Sequence, residues 1–457
     1  MKPLYIFLLF LFIIYSCSDD DIDTGTPIEY PDISNRLYAG GATTIFLVSS
    51  QAYGSPSPDL SASEKYDHTM GNLFFERSFI TAPAPLYGGL GPIYNNVSCI
   101  ACHPNDGRSN FPANINALSG FFLRISIPGE DAHGGPNPVP GYGDQAKNQA
   151  IFGYQPEAKY QVTYTEIHEV LADGTVVTLQ KPQYSLTNTY IPIPPETMIS
   201  PRIGMPVFGL GLLEAIPEEN ILARQDINDD NGDGISGKAN YVWDEVDNII
   251  KLGRFGWKAN VPTVLIQTIG AFHGDLGITS PYRPNENSYA DDGLEDDPEI
   301  DENTVKLVDL YCRTLGVPAP RNINDPIVRE GASIFGKIGC VKCHTPRQET
   351  GYSPISVLSY QTFYPYTDML LHDMGDELAD GRPDFLADGN EWKTRPLWGI
   401  GLTQIINGHT RFLHDGRARN LTEAILWHGG ESEDSKNKFK ELSLDKRNAL
   451  LAFLNSL

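Results

Sequence analysis

The chain has 457 residues, enough for two or three domains with cores of their own, and 40% of them are hydrophobic, as in an ordinary soluble globular protein. Its 34 basic and 58 acidic residues give a net charge of -24, which argues against nucleic-acid binding and favours a basic partner, unless the charge only serves solubility. No segment beyond the N-terminus is long and apolar enough to predict a transmembrane helix.

The first 17 residues have the pattern of an export signal. Lys2 precedes an apolar run over residues 4–14, which is too short to span a membrane comfortably. The run ends at Ser16-Cys17, which resembles a bacterial lipobox; an ordinary signal peptide or a short anchor is the alternative. We therefore predict a lipoprotein signal peptide over 1–17, a lipid on Cys17 that attaches the chain to a membrane, and an acidic flexible tether over 18–38. The expected location is periplasmic or outer-membrane anchored, with the cell surface included.

Six cysteines are present, and four of them form two Cys-x-x-Cys pairs that are each followed directly by histidine. This pattern is the attachment signal of c-type haem. Two thiols one helical turn apart reach the two vinyl groups on one porphyrin edge, and the adjacent histidine turns back to ligate iron. The sequence thus predicts two covalent c-type haems: Cys99, Cys102 and His103 for the first, and Cys340, Cys343 and His344 for the second.

Two other uses of paired cysteines are open alternatives. A four-cysteine zinc site also takes two pairs, but it requires no histidine after each pair, and these pairs lie 241 residues apart (340 minus 99). A redox dithiol needs only one pair, on a βαβ pattern that this sequence lacks. Cys312 lies in the apolar helical pattern "TVKLVDLYCRTLGV", which predicts a buried core thiol.

Between the two motifs, residues from about 121 to 200 alternate between apolar and polar side chains. "YQVTYTEIHEV" and "TVVTLQ" flank Asp173-Gly174, which predicts a β-hairpin within a small sheet. "Asn-Asp-Pro" at 324–326 marks a domain boundary. We predict a mainly α fold of two cytochrome c-like haem modules: an N-terminal module over 39–322 with a β-rich insertion at about 121–200, and a C-terminal module over 323–457.

The C-terminal part carries clear helical patterns. "DPIVREGASIFGK" predicts a helix running into the second haem motif, and "LTEAILWHGG" and "KNKFKELSLDKRNALLAFLNSL" predict two more. The two halves look like distant repeats, since "GLGPIYNNVSCIACH" parallels "GASIFGKIGCVKCH". "GRFGWKANVPTVLIQTIGAFHGD" loosely parallels "TRFLHDGRARNLTEAILWHGG". In each half a haem motif precedes an aromatic-rich turn and an amphipathic helix.

The sixth ligand of each haem iron separates catalysis from electron relay. An open site takes peroxide or oxygen, whereas two strong protein ligands favour electron transfer. Candidates in the C-terminal part are His372, Met374, His409, His414 and His428. His428 stands out, because it follows the apolar face of the "LTEAILWH" helix and precedes two glycines.

Several blocks of this sequence carry a family resemblance. "CIACH", "GCVKCHTP" and "FLHDGRARNLTEAILWH" resemble the bacterial di-haem cytochrome c peroxidase superfamily. "FGLGLLEAIP", "DGISGKANYVWD", "LGRFGWKA", "PYTDMLLHDMGDELADGR" and "EWKTRPLWGIGL" resemble its di-haem oxidoreductase branch of peroxidase type. The resemblance covers nearly everything after the tether.

The resemblance implies a ligand for the second haem. In the peroxidases, the distal ligand of the C-terminal haem lies fourteen residues after the histidine of a Phe-His-Asp-Gly block. Here that histidine is His414, after an additional Leu413, and fourteen residues further stands His428. The peroxidases have methionine there, so histidine is expected to lower the potential and to give a bis-histidine, low-spin second haem.

The resemblance also implies that the first haem is the peroxidatic one, in a pocket with a glutamine and an acid and with a tryptophan between the haems. Trp257 is then the candidate bridge, Gln267 the pocket amide, and Asp275 or His273 the acid or base; a buried core aromatic is the other interpretation of Trp257. In some peroxidases a histidine sixteen residues after the first motif blocks the resting site. Ser119 stands there, and His133 is the nearest alternative.

"DINDDNGDGISG" adds a metal hypothesis. Asp229, Asn231 and Asp233 alternate ahead of Gly234, as oxygen ligation of calcium requires. Asn240 stands where an EF-hand has its bidentate glutamate, and a polar turn is the alternative to a calcium site.

These patterns together predict a di-haem c-type oxidoreductase. Peroxide would be reduced at the first haem, with electrons delivered through the second haem by a small donor such as a cytochrome c. The alternatives are a non-catalytic electron-transfer cytochrome, and an oxidase that uses high-valent iron on a protein or metal substrate.

Overall fold

The computed structural model describes residues 31–84, 86–114, 116–291, 293–295 and 297–457. The predicted signal peptide, Cys17 and the tether as far as residue 30 lie outside the described residues. Within the described part, no helix combines the length and the apolar character that crossing a membrane would need.

Eleven α-helices form in the described residues, and several begin at a side-chain cap. Ser61 and Glu64 form a reciprocal capping box at the first helix, and Asp325 caps a helix whose first residue is Pro326. The helices are α1 Ala62–Glu76, α2 Cys99–Cys102, α3 Leu210–Glu214, α4 Glu218–Leu222, α5 Val264–Asp275, α6 Glu302–Thr314, α7 Pro326–Lys337, α8 Thr403–Asn407, α9 Leu421–Leu426, α10 Glu433–Glu441 and α11 Leu444–Ser456.

The strands of the described residues form one four-stranded sheet, in which β3 pairs with β4, β5 and β9, and six two-stranded sheets. The strands are β1 Thr44–Ile45, β2 Ile93–Tyr94, β3 Phe121–Glu130, β4 Pro136–Asn137, β5 Gln145–Ala146, β6 Gln149–Ala150, β7 Lys159–Val170, β8 Val176–Thr187, β9 Met198–Ile203, β10 Tyr241–Asp244, β11 Ile249–Leu252, β12 Val317–Pro318, β13 Gln348–Glu349, β14 Thr362–Phe363, β15 Leu371–Asp373 and β16 Glu391–Lys393.

The prediction of a mainly α fold of two cytochrome c-like modules is wrong. Helix accounts for 29% and strand for 20% of the described residues, and small sheets occur along the whole chain rather than in one insertion. The physical reason is that several strands pair with segments far away in the sequence, as Thr44 of β1 does with Val317 of β12, and local sequence patterns do not reveal such pairing.

The predicted hairpin is present. β7 and β8 pair antiparallel over their full length, from Lys159 opposite Thr187 to Val170 opposite Val176, and Gly174 takes a positive φ of 82° in the turn. The tip of the hairpin reaches the C-terminal helices, where Asp173 pairs with an arginine of α11. The hairpin thus ties residues of the predicted insertion to the end of the chain.

Two helix pairs of the same construction lie beside the two haem motifs. α1 packs against α6, and α7 packs against α11, with a glycine at each point of closest approach. A Cβ atom on Gly71 would overlap the Leu307 carbonyl, and one on Gly331 would overlap the Ala449 carbonyl. The helix predicted over "KNKFKELSLDKRNALLAFLNSL" is divided into α10 and α11, because Ser443 caps a new helix.

Replacing Gly331 with alanine is expected to lower the free energy of unfolding by ~1–3 kcal/mol, the usual cost of overpacking, because the added methyl group overlaps Ala449 and Phe453 of α11. Gly336, in the same helix, is the matched control. A Cβ atom there meets nothing within 4 Å, so Gly336→Ala should raise stability by up to ~1 kcal/mol through helix propensity. Chemical denaturation of both variants measures the difference, and equal stabilities would contradict the proposed crossing.

The two largest apolar cores each draw on residues from both sides of the predicted boundary at 322/323. The first core joins Phe208 to Trp398 and Ile406, and the second joins Trp257 to Phe453. Cys312 is 6% exposed on α6 in the first core, as predicted for a buried thiol. The division into 39–322 and 323–457 remains a prediction.

Candidate functional site

The first Cys-x-x-Cys-His motif forms the short helix α2 at the wall of a cavity. The Ser98 hydroxyl caps this helix by accepting the Ala101 N–H at 3.3 Å. Cys99, Cys102 and His103 line a cavity of about 1300 Å³. The cavity opens directly beside the two thiols, where a cofactor attached to them would lie.

The second motif lies at the wall of a separate cavity of about 1410 Å³. Gly339, at a positive φ of 99°, ends α7 and turns the chain into a short 3-10 helix over Cys340–Lys342. Cys340, Cys343, His344 and His428 all line this cavity. Because the two cysteine pairs open into different cavities, they do not form one four-cysteine zinc site.

Three of the ten histidines share an orientation that suits iron. Their Nδ1 atoms lie against backbone carbonyls: His103 at 2.6 Å from Met205, His344 at 3.0 Å from Tyr366, and His428 at 2.7 Å from Ala424. An Nδ1–H bond of this kind fixes the ring and leaves Nε2 as the nitrogen for a metal. The three residues are the ones predicted from the sequence as iron ligands.

The protonation states in the two cavities suit haem attachment better than thiolate chemistry. Burial lowers the pKa of His103 and His428, and it lowers the pKa of His344 to about 4, so the three imidazoles are neutral and able to bind a metal. Burial also raises the pKa of the Cys99 and Cys340 thiols to about 12. Neither thiol is held as the thiolate that a redox dithiol requires.

An aromatic ring lies near the histidine of each Cys-x-x-Cys-His motif. Phe75 lies four residues after Gly71 on α1, and its ring centroid is 6.2 Å from that of His103. Phe335 lies four residues after Gly331 on α7, and its ring centroid is 6.4 Å from that of His344. Sequence comparison of the two halves missed this correspondence.

One face of α5 borders the first cavity. Gln267 and Asp275 are eight residues apart, with Ala271 midway, and all three line the cavity because every fourth residue of a helix faces the same way. The predicted His273 does not line it: its Nε2 lies 2.9 Å from the Asn285 carbonyl. Successive residues of a helix are rotated by 100° about its axis, and the sequence alone did not show which residues near position 273 face the cavity.

Asp275 is a half-buried carboxyl group that lines this cavity. Burial raises its pKa, while a hydrogen bond from Gln145 Nε2 to its Oδ1 at 2.7 Å, the Arg124 guanidinium and Lys147 act in the opposite direction. The net effect raises the pKa of Asp275 above its ordinary value, which favours the protonated form that can donate a proton.

Trp257 borders both cavities. Its indole Nε1 donates to the Ile203 carbonyl at 3.1 Å, and the side chain is 7% exposed. The ring therefore has one fixed orientation between the two haem motifs. Its burial is compatible with a core role as well as with a bridging role.

The remaining candidates in the C-terminal part are occupied or differently placed. His372 lies between Asp368 and Glu431, with ring nitrogens 2.8 and 2.6 Å from their carboxylates. Burial alone would lower the pKa of His372. The hydrogen bonds together outweigh burial and raise this pKa well above its usual value. The Nε2 atom of His409 lies 3.1 Å from the Arg108 carbonyl. His414 and Met374 line the second cavity.

The residues of two further predictions, the loop histidine and the acidic loop, line neither cavity. His133 stacks on Trp243 at the surface, with ring centroids 4.1 Å apart. Asp229 accepts the backbone N–H groups of Asp233 and Gly234, and Asp233 lies 3.2 Å from an amino group of Lys342. These contacts are those of a polar turn, and calcium binding remains a prediction from the sequence.

Comparison with known proteins identifies a family. The family model described as "Di-haem oxidoreductase, putative peroxidase" matches residues 34–457. No curated protein matches the chain. Among solved structures, hydrazine synthase of Kuenenia stuttgartiensis, pressurized with 20 bar xenon, is similar at 18% identity with a TM-score of 0.23. That similarity covers 34% of this chain and 55% of the other.

Proposed function

This chain belongs to the di-haem oxidoreductase family, whose model spans residues 34–457, and from that premise we propose that it reduces peroxide at a first c-type haem with electrons that enter through a second. Membership makes the protein an oxidoreductase with haem cofactors. The covalent attachment, the substrate and the direction of electron flow are our proposal.

The residues of the two cavities fit one covalent haem each. Cys99 and Cys102 would form thioethers in the first cavity, and Cys340 and Cys343 would do so in the second. When bound, haem iron supplies the electron transfer and the activation of peroxide. The chain supplies the axial imidazoles, the proton donor and the dry surroundings.

The carrying observation is the unequal number of histidines in the two cavities. His344 and His428 both line the second cavity with Nδ1 fixed to a carbonyl, whereas among the described residues His103 alone is a histidine of the first cavity. Met205 also borders the first cavity, but its carbonyl binds His103, so its backbone lies on the side of that histidine. This asymmetry supports a closed second haem and an open first haem.

The open side of the first cavity has groups suited to peroxide. Asp275 would hold a proton for the departing oxygen, since it lines the cavity and burial raises its pKa above the ordinary value of an aspartate. Gln267, on the same face of α5, would orient peroxide through its amide. Gln145 holds Asp275 in place by donating to its Oδ1.

Two features support the proposed route of the electrons: the net charge of the chain and the position of Trp257. The net charge of -24 favours a small basic donor such as a cytochrome c, and electrostatic attraction speeds such encounters. Trp257 would carry electrons between the haems because it borders both cavities. The lipobox-like Ser16-Cys17 supports a lipoprotein exported to the periplasm or the outer membrane.

Spectroscopy of the purified protein tests the proposal. The oxidised protein should show one high-spin and one low-spin haem, and after half-reduction peroxide should change the spectrum and be consumed with reduced cytochrome c as donor. Two low-spin haems without a response to peroxide would instead establish an electron-transfer cytochrome. Faster turnover with a protein or metal donor than with cytochrome c would favour the oxidase alternative.

His133→Ala is the matched control for this experiment. His133 is the nearest histidine after position 119 and lies outside both cavities, so its loss should leave the spin state of both haems unchanged. A new high-spin signal in this variant would show that His133 closes the first haem, and it would contradict the proposed open site.

A further inference from the structure

Buried cations in this protein usually have a carboxylate partner. Lys258 pairs with Asp380 at 2.8 Å, and Arg417 pairs with Asp415 at 2.8 Å. Such pairing is expected, because an isolated buried charge costs several kcal/mol. A buried cation without a carboxylate therefore points to an anion that the chain itself does not supply.

Three cations around Trp257, of which Arg108 and Lys393 are buried and Arg395 is half-buried, lack such a partner among the described residues. The Arg395 and Arg108 guanidinium carbons lie 5.2 and 5.8 Å from the Trp257 ring centroid. The backbone N–H of Lys393 donates to the Trp257 carbonyl, and its ammonium group donates to the Arg254 carbonyl. No carboxylate of the described residues acts on any of the three. Arg395 reaches only the Gly256 carbonyl at 3.5 Å, and Arg108 only the Leu413 carbonyl at 3.4 Å.

The electrostatics of these arginines agree with a missing counter-charge. Burial, followed by the neighbouring Arg108, lowers the pKa of Arg395 to about 9. Burial lowers the pKa of Arg108 to about 10. Two guanidinium groups in the same apolar surroundings repel each other. An anion between or beside them would offset this repulsion and the cost of burying the two charges.

A second and independent observation comes from His414. This side chain is 4% exposed, lines the second cavity and stacks on Trp392 with ring centroids 3.9 Å apart. Its Nε2 atom is buried without a hydrogen-bond partner. A buried polar atom of this kind is rare in native proteins and normally has a ligand or water to bind. The second cavity thus offers an imidazole nitrogen without a hydrogen bond, 3.8 Å from the Asp415 carboxylate, in addition to the unpaired arginines that line it.

The positions of the two arginines differ in one decisive respect. Arg395 lines both cavities, whereas Arg108 lines the second cavity alone. A guanidinium has donors on two edges and can bind two carboxylates at once. Arg395 is therefore placed to serve a ligand in each cavity.

We propose that Arg395 binds carboxylates of both cofactors, the propionates of the first and second haems, and so couples the two irons electrostatically, while Arg108 and His414 hold the second haem alone. The inference rests on the two haems of the proposed function but not on peroxide as the substrate. Arg395 acts here as a positioning residue, because it sets the potentials of the irons without touching peroxide.

Midpoint potentials of the intact protein with both haems bound test this inference. A cation beside a propionate favours the reduced haem, so Arg395→Gln should lower the midpoint potentials of both haems. Arg108→Gln is the matched control and should lower the potential of the second haem only. Spectroelectrochemical titration measures both values without peroxide, so the result does not depend on whether the protein is a peroxidase.

The conservative variant guards against a failure to fold or to take up haem. Arg395→Lys keeps the charge but has only one compact ammonium group, so it should leave one potential near the wild-type value and lower the other. If Arg395→Gln shifts one potential or none at an unchanged haem content, the shared contact is refuted. If Arg395→Gln cannot be purified with both haems, unchanged potentials in Arg395→Lys refute it equally.

Discussion

Replacing His428 with alanine is expected to convert the second haem from a six-coordinate low-spin centre into a high-spin centre. His344 and His428 are the two histidines of that cavity whose Nδ1 lies against a backbone carbonyl, and the contact of His428 with Ala424 at 2.7 Å fixes the ring with Nε2 available to iron. Loss of a strong imidazole ligand should also raise the midpoint potential, by a fraction of the ~0.8 V range that axial ligands cover. Electron paramagnetic resonance and a redox titration measure both effects.

Met374 provides the matched control for this prediction. It lines the same cavity, and methionine is the other common axial ligand, so it is the rival for the sixth position. Met374→Ala should leave the second haem low-spin. If the alanine variant of Met374 became high-spin and that of His428 stayed low-spin, the ligand assignment would be reversed.

Replacing Trp257 with phenylalanine is expected to slow electron transfer from the second haem to the first by roughly tenfold, equivalent to ~1.4 kcal/mol of barrier. The indole borders both cavities, and its N–H bond to the Ile203 carbonyl fixes its orientation. Phenylalanine keeps most of the packing volume but removes this bond and the more easily oxidised ring. Stopped-flow absorption after reduction of the second haem measures the rate.

Two further measurements separate a relay from a merely structural role of Trp257. The spin states and midpoint potentials of both haems should be unchanged in Trp257→Phe if the residue only carries electrons. Trp243→Phe is the matched control, since Trp243 stacks on His133 and borders neither cavity. An interhaem rate equal to that of wild type in Trp257→Phe would assign Trp257 to the core alone.

Some parts of the fold could be predicted because their determinants are local. The hairpin of β7 and β8 follows from alternating side chains around Asp173-Gly174, and α7 follows from an Asp-Pro start and an apolar stripe. The fold class could not be predicted in this way. The many short sheets depend on contacts between segments far apart in the sequence, such as β1 with β12, in which Thr44 pairs with Val317.

The correspondence between the two halves shows why sequence comparison failed at one point. The second haem motif directly follows α7, so Gly331 and Phe335 stand close to it in sequence. In the first half, 22 residues (77–98) stand between α1 and the motif in the sequence, and the matching Gly71 and Phe75 therefore lie further from it. The comparison therefore aligned "GLGPIYNN" with "GASIFGKIG", although the structure places Gly71 at the equivalent crossing.

The sequence by itself determined the prediction of haem attachment, because two thiols and a histidine at Cys-x-x-Cys-His spacing need only one turn of chain to meet one porphyrin edge. The prediction of His428 as a ligand came from the family resemblance, through its distance from His414. Only the tertiary structure decided which side chains share the space between the cavities. Arg395 and Arg108 are 287 residues apart (395 minus 108), and their lack of a carboxylate partner exists only in the folded chain, where burial makes an unpaired charge costly.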